Sequence, residues 1–269
     1  MNMPGAEASA AADQPVLVEQ RGPILWLTIN REAVRNALND QVLATLAEAI
    51  RGAANNSELR AIVITGAGNR VFSAGGDLKA GGSTFEFDFS QPSTTFADML
   101  RAANQTNLPL VARVNGHCLA GGMGLLSACD MAIATEGAQF GLPEVKIGMF
   151  PMQVAVALRR ILPPRVFAEM CFAGESISAR DAQQFGLLNY VVPAAELDAK
   201  LDGLLERIAA NSPTAIRRGK YALRATQDMS YDQSLAYMET QLSTLSLTQD
   251  AREGIASFNE KRTPNWSGR

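Results

Sequence analysis

Residues 59–68, LRAIVITGAG, constrain the fold more than any other stretch. The run is short, apolar and β-branched, with no alternation between faces, and it stops at Gly66. Such a run is a strand covered on both sides, the signature of a parallel sheet between layers. Residues 109–122, PLVARVNGHCLAGG, repeat the form: a strand over 111–114, then bare backbone at Gly116 and at Ala120, Gly121 and Gly122. Residues 16–32 hold two β-rich runs separated by Gln20, Arg21, Gly22 and Pro23, a hairpin signal. Leu38, Val42, Leu43, Leu46 and Ile50 fall at helical spacing within 36–56, and 124–135 reads as a helix followed by a strand at 131–134. This alternation runs to about residue 195 and predicts an α/β architecture with parallel pairing. From 196 onward the periodicity is helical. The chain therefore divides into a tail over 1–14, expected to be disordered, an α/β core over 15–195 and a helical region over 196–269. The stretch 80–95, AGGSTFEFDFSQPSTT, has no consistent period and reads as a mobile loop.

Bulk properties narrow the partners. With 269 residues and 47% hydrophobic content the chain can bury a sizeable core. A formal charge of −3 argues against nucleic acid or an anionic membrane as the main partner. No window reaches the ~18 apolar residues of a membrane span, and the first residues lack the basic and apolar parts of a secretory signal. Cys118, Cys129 and Cys171 have no metal or disulfide spacing, which points to a reducing cytoplasm. His117 is the only histidine, so most metal sites are excluded.

Two strand ends share one feature. VFSAGGDLK (71–79) loses its side chains at Ser73, Ala74, Gly75 and Gly76 where an apolar run ends; NGHCLAGGMG does so before a helix-forming run. Helix-start N–H groups lack intrahelical acceptors, and glycine lets a ligand oxygen approach without meeting a Cβ. One such turn is ordinary packing; two suggest paired donors converging on one oxygen, the requirement of an oxyanion hole. The rival, phosphate or dinucleotide binding, fails because neither turn has its spacing.

NREAVRNAL, VFSAGGDLK, NGHCLAGGMGLLSACDMAIAT, AQFGLPEVKIGMFP and DAREGIASFNEKRTPNWSGR, in this order from about residue 15 to the C-terminus, resemble the crotonase, or enoyl-CoA hydratase/isomerase, superfamily. The resemblance implies a spiral of β-β-α turns followed by a helical trimerisation region, trimers often pairing into hexamers. It implies an acyl-CoA thioester as substrate, with no cofactor beyond the CoA that the substrate carries. Gly76 and Gly121 would hold the thioester oxygen. Ser73, Ala74, Asp77, Leu78 and Lys79 would touch CoA, mostly through backbone. Arg31 and Arg35 would meet its phosphates, and Phe258 and Lys261 would help cover its nucleotide, often in a neighbouring subunit.

Hydratases of this kind use two glutamates. The position three residues after the second oxyanion glycine is Gly124 here; the one within FGLPE is kept as Glu144. Phe140, Leu142, Pro143, Val145 and Ile147 make the setting of Glu144 apolar, which raises a carboxyl pKa towards working pH. A glutamate after proline also serves at a helix start; the resemblance favours catalysis. One glutamate supports hydration of a 2-enoyl-CoA, with a branched or glutaconyl-type acyl chain as one candidate, or isomerisation of a 3-enoyl-CoA to a 2-enoyl-CoA. A non-catalytic acyl-CoA-binding protein and a thioester hydrolase are the remaining alternatives. His117, beside the second glycine turn, is a candidate ligand contact or a strand-end framework residue. Asp130 is expected to serve the framework. Met149, Phe150 and Met152 are candidates for an acyl pocket or for core.

Overall fold

The computed structural model describes residues 14–78 and 89–269. The tail expected to fray lies outside them except for residue 14, as do Lys79 and most of the stretch read as a loop. The order begins with β1 (Val16–Arg21), β2 (Ile24–Ile29), α1 (Asp40–Ala53), β3 (Ala61–Gly66), β4 (Val71–Ser73) and α2 (Thr95–Gln105). It continues with β5 (Leu110–Val114), β6 (His117–Leu119), α3 (Gly121–Ser127), β7 (Met131–Thr135), β8 (Gln139–Gly141) and a 3-10 turn at Pro143–Ile147. Then come α4 (Met152–Leu158), α5 (Pro164–Ala173), β9 (Ser176–Ser178), α6 (Ala179–Gln184) and β10 (Tyr190–Val192). Helices α7 (Leu197–Ala209), α8 (Pro213–Ala225), α9 (Tyr231–Leu245) and α10 (Gln249–Glu260) close the chain.

The strands form two sheets, β1-β2-β3-β5-β7-β10 and β4-β6-β8-β9. The first pair, β1 with β2, is the antiparallel hairpin read from the sequence. From β2 to β10 the large sheet is parallel. Each of β3, β5 and β7 hands the chain to the neighbouring strand of the small sheet before a helix or turn returns it. That repeat is the β-β-α spiral. Strand β3 is buried along its whole length, as its pattern requires. Ile62 and Ile64 enter the main core with α1 and α2, while Ala61 and Val63 pack beneath Leu197, Leu201, Leu204, Leu205 and Ile208 of α7.

The helix α2 falls just beyond the irregular 80–95 stretch; Thr94 caps it by accepting from the Ala97 N–H. The C-terminal helices are bound to the core by charge-assisted bonds. Lys220 of α8 meets Asp130 at 2.6 Å, and Asp130 also accepts from the Leu110 N–H, so its framework role is borne out. Among the described residues no helix is long and apolar enough to cross a membrane.

Candidate active site

The first glycine turn is fixed by the segment preceding α1. Arg35 and Asn36 both take left-handed backbone, with φ of 57° and 54°. This aims the buried Asn36 amide at the carbonyls of Ala67 and Val71, to which it donates at 3.0 and 2.7 Å. The Asn36 carbonyl accepts from Ser73 Oγ, and Ser73 Oγ accepts from the Gly75 N–H. Leu38 then bridges the turn: its N–H donates to the Gly75 carbonyl (2.8 Å) and its carbonyl accepts from the Asp77 N–H (2.9 Å). Both bonds engage neighbours of Gly76. The Gly76 N–H therefore points away from Leu38, and it has no acceptor among the described residues.

The second turn meets the first. Ala120 sits at φ 49°, ψ −123°, a backbone conformation that alanine adopts only under strain of about 1–3 kcal/mol. The kink makes Gly121 the first residue of α3, so its N–H also lacks an acceptor. A methyl placed on Gly121 would lie 3.5 Å from the Gly76 nitrogen, and one on Gly75 would lie 2.9 Å from the Gly121 nitrogen. Two unpartnered amides from distant segments thus stand side by side. Gly75 takes φ +93° at the point of closest approach, where any side chain would force the segments apart.

Both amides border a cavity of 470 Å³. Its lining includes Ala74, Leu78, Leu38 and Leu43, together with Met149, Phe150, Met152 and Val154. The methionine and phenylalanine patch therefore faces the cavity. Glu144, on the 3-10 turn, reaches the same space. Its Oε2 is buried with no hydrogen-bond partner among the described residues. Burial pushes the carboxyl pKa up, against a smaller lowering by its own backbone N–H. The Cys171 thiol lies close enough to feel that carboxylate: burial first, then the Glu144 charge, push it up to about 11.

Among the described residues that line the cavity, no second carboxyl accompanies Glu144. Gly124 is buried, and a Cβ there would lie 2.6 Å from Phe96 Cζ and 3.3 Å from Val154 Cγ2. Phe96 and Val154 occupy the place that a side chain at 124 would take. Cavity residues that carry no signal in the sequence include Phe96, Lys146, and the pair Thr94 and Gln153, joined by a 2.7 Å hydrogen bond from Gln153 Nε2 to Thr94 Oγ1.

Other sequence-read residues lie apart from the cavity. Arg31 is turned onto Asp77 at 2.8 Å and donates to the Ala37 carbonyl at 2.6 Å, so it braces the turn. Arg35 is exposed beside the turn, its carbonyl accepting from the Ala74 N–H. Ser73 is wholly buried in the framework. His117 does not line the cavity; it bridges strands β6 and β8, its Nδ1 accepting from the Gln139 N–H at 3.1 Å. Phe258 and Lys261 sit at the end of α10, where Phe258, 83% exposed, borders a separate apolar groove with Ile255 and Trp266.

Paired bare amides at the ends of β-β-α spiral strands, above an apolar cavity with one buried carboxyl, define a thioester-polarising enzyme class. The chain belongs to the Enoyl-CoA hydratase/isomerase family, which it matches over residues 19–269. It is 37% identical over 259 residues to the 2,3-dehydroadipyl-CoA hydratase of Escherichia coli K12, covering 94% of this chain and 99% of that protein. It is 34% identical to the carnitinyl-CoA dehydratase of Salmonella enteritidis, covering 93% of this chain and 97% of that one. The crystal structure of an enoyl-CoA hydratase from Bacillus anthracis superposes with a TM-score of 0.88 at 30% identity, over 95% of this chain and all of the other. An enoyl-CoA hydratase from Mycobacterium tuberculosis H37Rv gives 0.86 at 32%, over 96% of this chain. The fold is the crotonase fold. The chain is an enzyme of the hydro-lyase kind that acts on acyl-CoA thioesters.

Proposed function

We propose that the chain hydrates a 2-enoyl-CoA with Glu144 as its single carboxyl catalyst. The thioester oxygen accepts from the Gly76 and Gly121 amides, which draws electron density from C3. Glu144 takes a proton from water as the water oxygen bonds to C3, and the electron pair of the double bond passes to an enolate held by the two amides. Glu144 then returns the proton to C2. Such donors are worth roughly 10²–10³ in rate each, and a raised carboxyl pKa suits transfer to and from carbon. The observation that carries this reading is the buried, unpartnered Oε2 of Glu144 in a cavity shared with both free amides. CoA would lie along the backbone of 73–79, with Arg35 free to meet a phosphate. The acyl chain would lie against Met149, Phe150 and Met152, where a branched or carboxylated chain is one candidate. We also infer a homotrimer or hexamer, which the exposed Phe258, Leu242 and Ile255 favour.

One observation supports the isomerase reading as well: Phe96 and Val154 exclude a second carboxyl at 124. In that reading Glu144 removes a C2 proton from a 3-enoyl-CoA and delivers one to C4. The test is direct. Loss of the enoyl absorbance of crotonyl-CoA reports hydration, and its appearance from 3-butenoyl-CoA reports isomerisation. Catalysis of neither, or free thiol release instead, rejects the proposal.

A further inference from the structure

The cavity that holds Glu144 also holds two neutral polar side chains that the family's two-carboxyl plan does not require. Thr94 caps α2 two residues before Phe96; Gln153 on α4 immediately precedes Val154. The two residues that carry the fillers of the Gly124 site are thus flanked by a hydrogen-bonded pair, Gln153 Nε2 to Thr94 Oγ1 at 2.7 Å, both lining the cavity. The bonding around Thr94 leaves one group over. Its Oγ1 accepts from Gln153 and from the Ala97 N–H, so its lone pairs are engaged and its own proton has no acceptor among the described residues. The Gln153 carbonyl oxygen likewise receives no donor among them. One unused donor and one unused acceptor stand together where the nearest carboxyl position has been replaced by hydrocarbon.

We propose that Thr94 and Gln153 form a water-binding subsite that holds the reacting water facing C3, in place of a second carboxylate. This rests on the hydration reading above. Thr94 O–H would donate to the water oxygen and Gln153 Oε1 would accept one of its hydrogens, leaving the other for Glu144. A neutral pair orients water without deprotonating it, so the proton traffic stays with Glu144.

The test separates water addition from proton transfer at carbon. Hydration of crotonyl-CoA needs a placed water. Exchange of the C2 protons of butyryl-CoA in D₂O needs only Glu144 and the two amides. Gln153→Leu and Thr94→Val are expected to lower hydration by roughly 10-fold or more, the effect of losing a hydrogen bond at the reacting group. Butyryl-CoA exchange and butyryl-CoA affinity should stay at the wild-type level, and Thr94→Ser should restore hydration. Unchanged hydration in both variants, or equal loss of hydration and exchange, overturns the subsite while leaving hydration by Glu144 standing. Wild-type enzyme that exchanges butyryl-CoA protons but does not hydrate crotonyl-CoA overturns the hydration reading itself.

Discussion

The two walls of the cavity solve opposite problems with the same kind of material. On one, a 3-10 turn carries a carboxylate into a place where charge is disfavoured, and Glu144 is left with a buried oxygen that has no partner among the described residues and with a raised pKa. On the other, the α3 position that could have carried a second carboxyl is the buried Gly124, and the cavity residues Phe96 and Val154 close over it. Between them lie the two amides, which belong to neither wall. Oxyanion stabilisation and acid–base chemistry are therefore built on separate elements. The first depends on strand ends pinned by Leu38 and Asn36; the second depends on a single side chain. A site of this construction keeps its power to polarise a thioester while the carboxyl complement around it changes.

The contrast is broken most severely by removing the one carboxyl. Glu144→Gln should lower kcat/KM by about 10²–10⁴, while calorimetry finds acyl-CoA affinity unchanged. Next is the amide pair. Gly121→Ala should fold, because its methyl meets Leu38 Cδ1 at 3.4 Å and the Gly76 nitrogen at 3.5 Å, ordinary contact distances. That methyl crowds the space before the Gly76 amide, so kcat should fall by roughly 10²–10³, read in steady-state hydration. The walls can also be made more alike. Gly124→Glu alone drives its side chain into the Phe96 ring and should cost about 1–3 kcal/mol of stability as an overpacked site, seen as a lowered Tm. Paired with Phe96→Ala, the glutamate gains room, and hydration should exceed that of Phe96→Ala alone.

The legible parts of this site are those whose chemistry is written in short segments. Bare backbone at the ends of apolar runs marks 73–76 and 120–122, because only small residues tolerate such close approach. Glu144 stands out as an acid among Phe140, Leu142, Pro143, Val145 and Ile147. The α/β core with parallel pairing follows from the alternation of buried strands with helical runs, while its winding into a β-β-α spiral is implied by the family resemblance. What was illegible depends on contacts between remote positions. Arg31 reads as a phosphate ligand until the fold sets Asp77, 46 residues on, against its guanidinium. Thr94 reads as the end of a polar loop, and Gln153 follows the apolar patch at Met149, Phe150 and Met152 with no role of its own in the sequence. Their bond spans 59 positions, and no local pattern announces it. Phe96 is likewise unremarkable until α2 brings its ring over Gly124. The residues that distinguish this site from a two-carboxyl one come from α2 and α4, and neither helix carries a motif.

The smallest expected effect concerns stability, and it sharpens the comparison because it tests the Glu144 wall without substrate. A carboxyl whose pKa is raised on folding holds its proton in the native state over a range where the unfolded chain has already lost it. The native state then binds more protons than the unfolded one, and stability falls with rising pH through that range. For Glu144 the range begins at the ordinary carboxyl value of 4.5 and extends up to its own raised value. Glu144→Gln has no proton to lose. Measured by urea unfolding at pH 4.5 and at pH 8, the variant should gain stability relative to the wild type as pH rises, with the difference level above the raised pKa. The same titration should govern turnover, since Glu144 accepts a proton from water only when ionised, so kcat/KM should rise through that pKa. Equal pH dependence of unfolding in the two proteins would place the carboxyl in a solvated setting, and the asymmetry between the walls would then be one of shape alone.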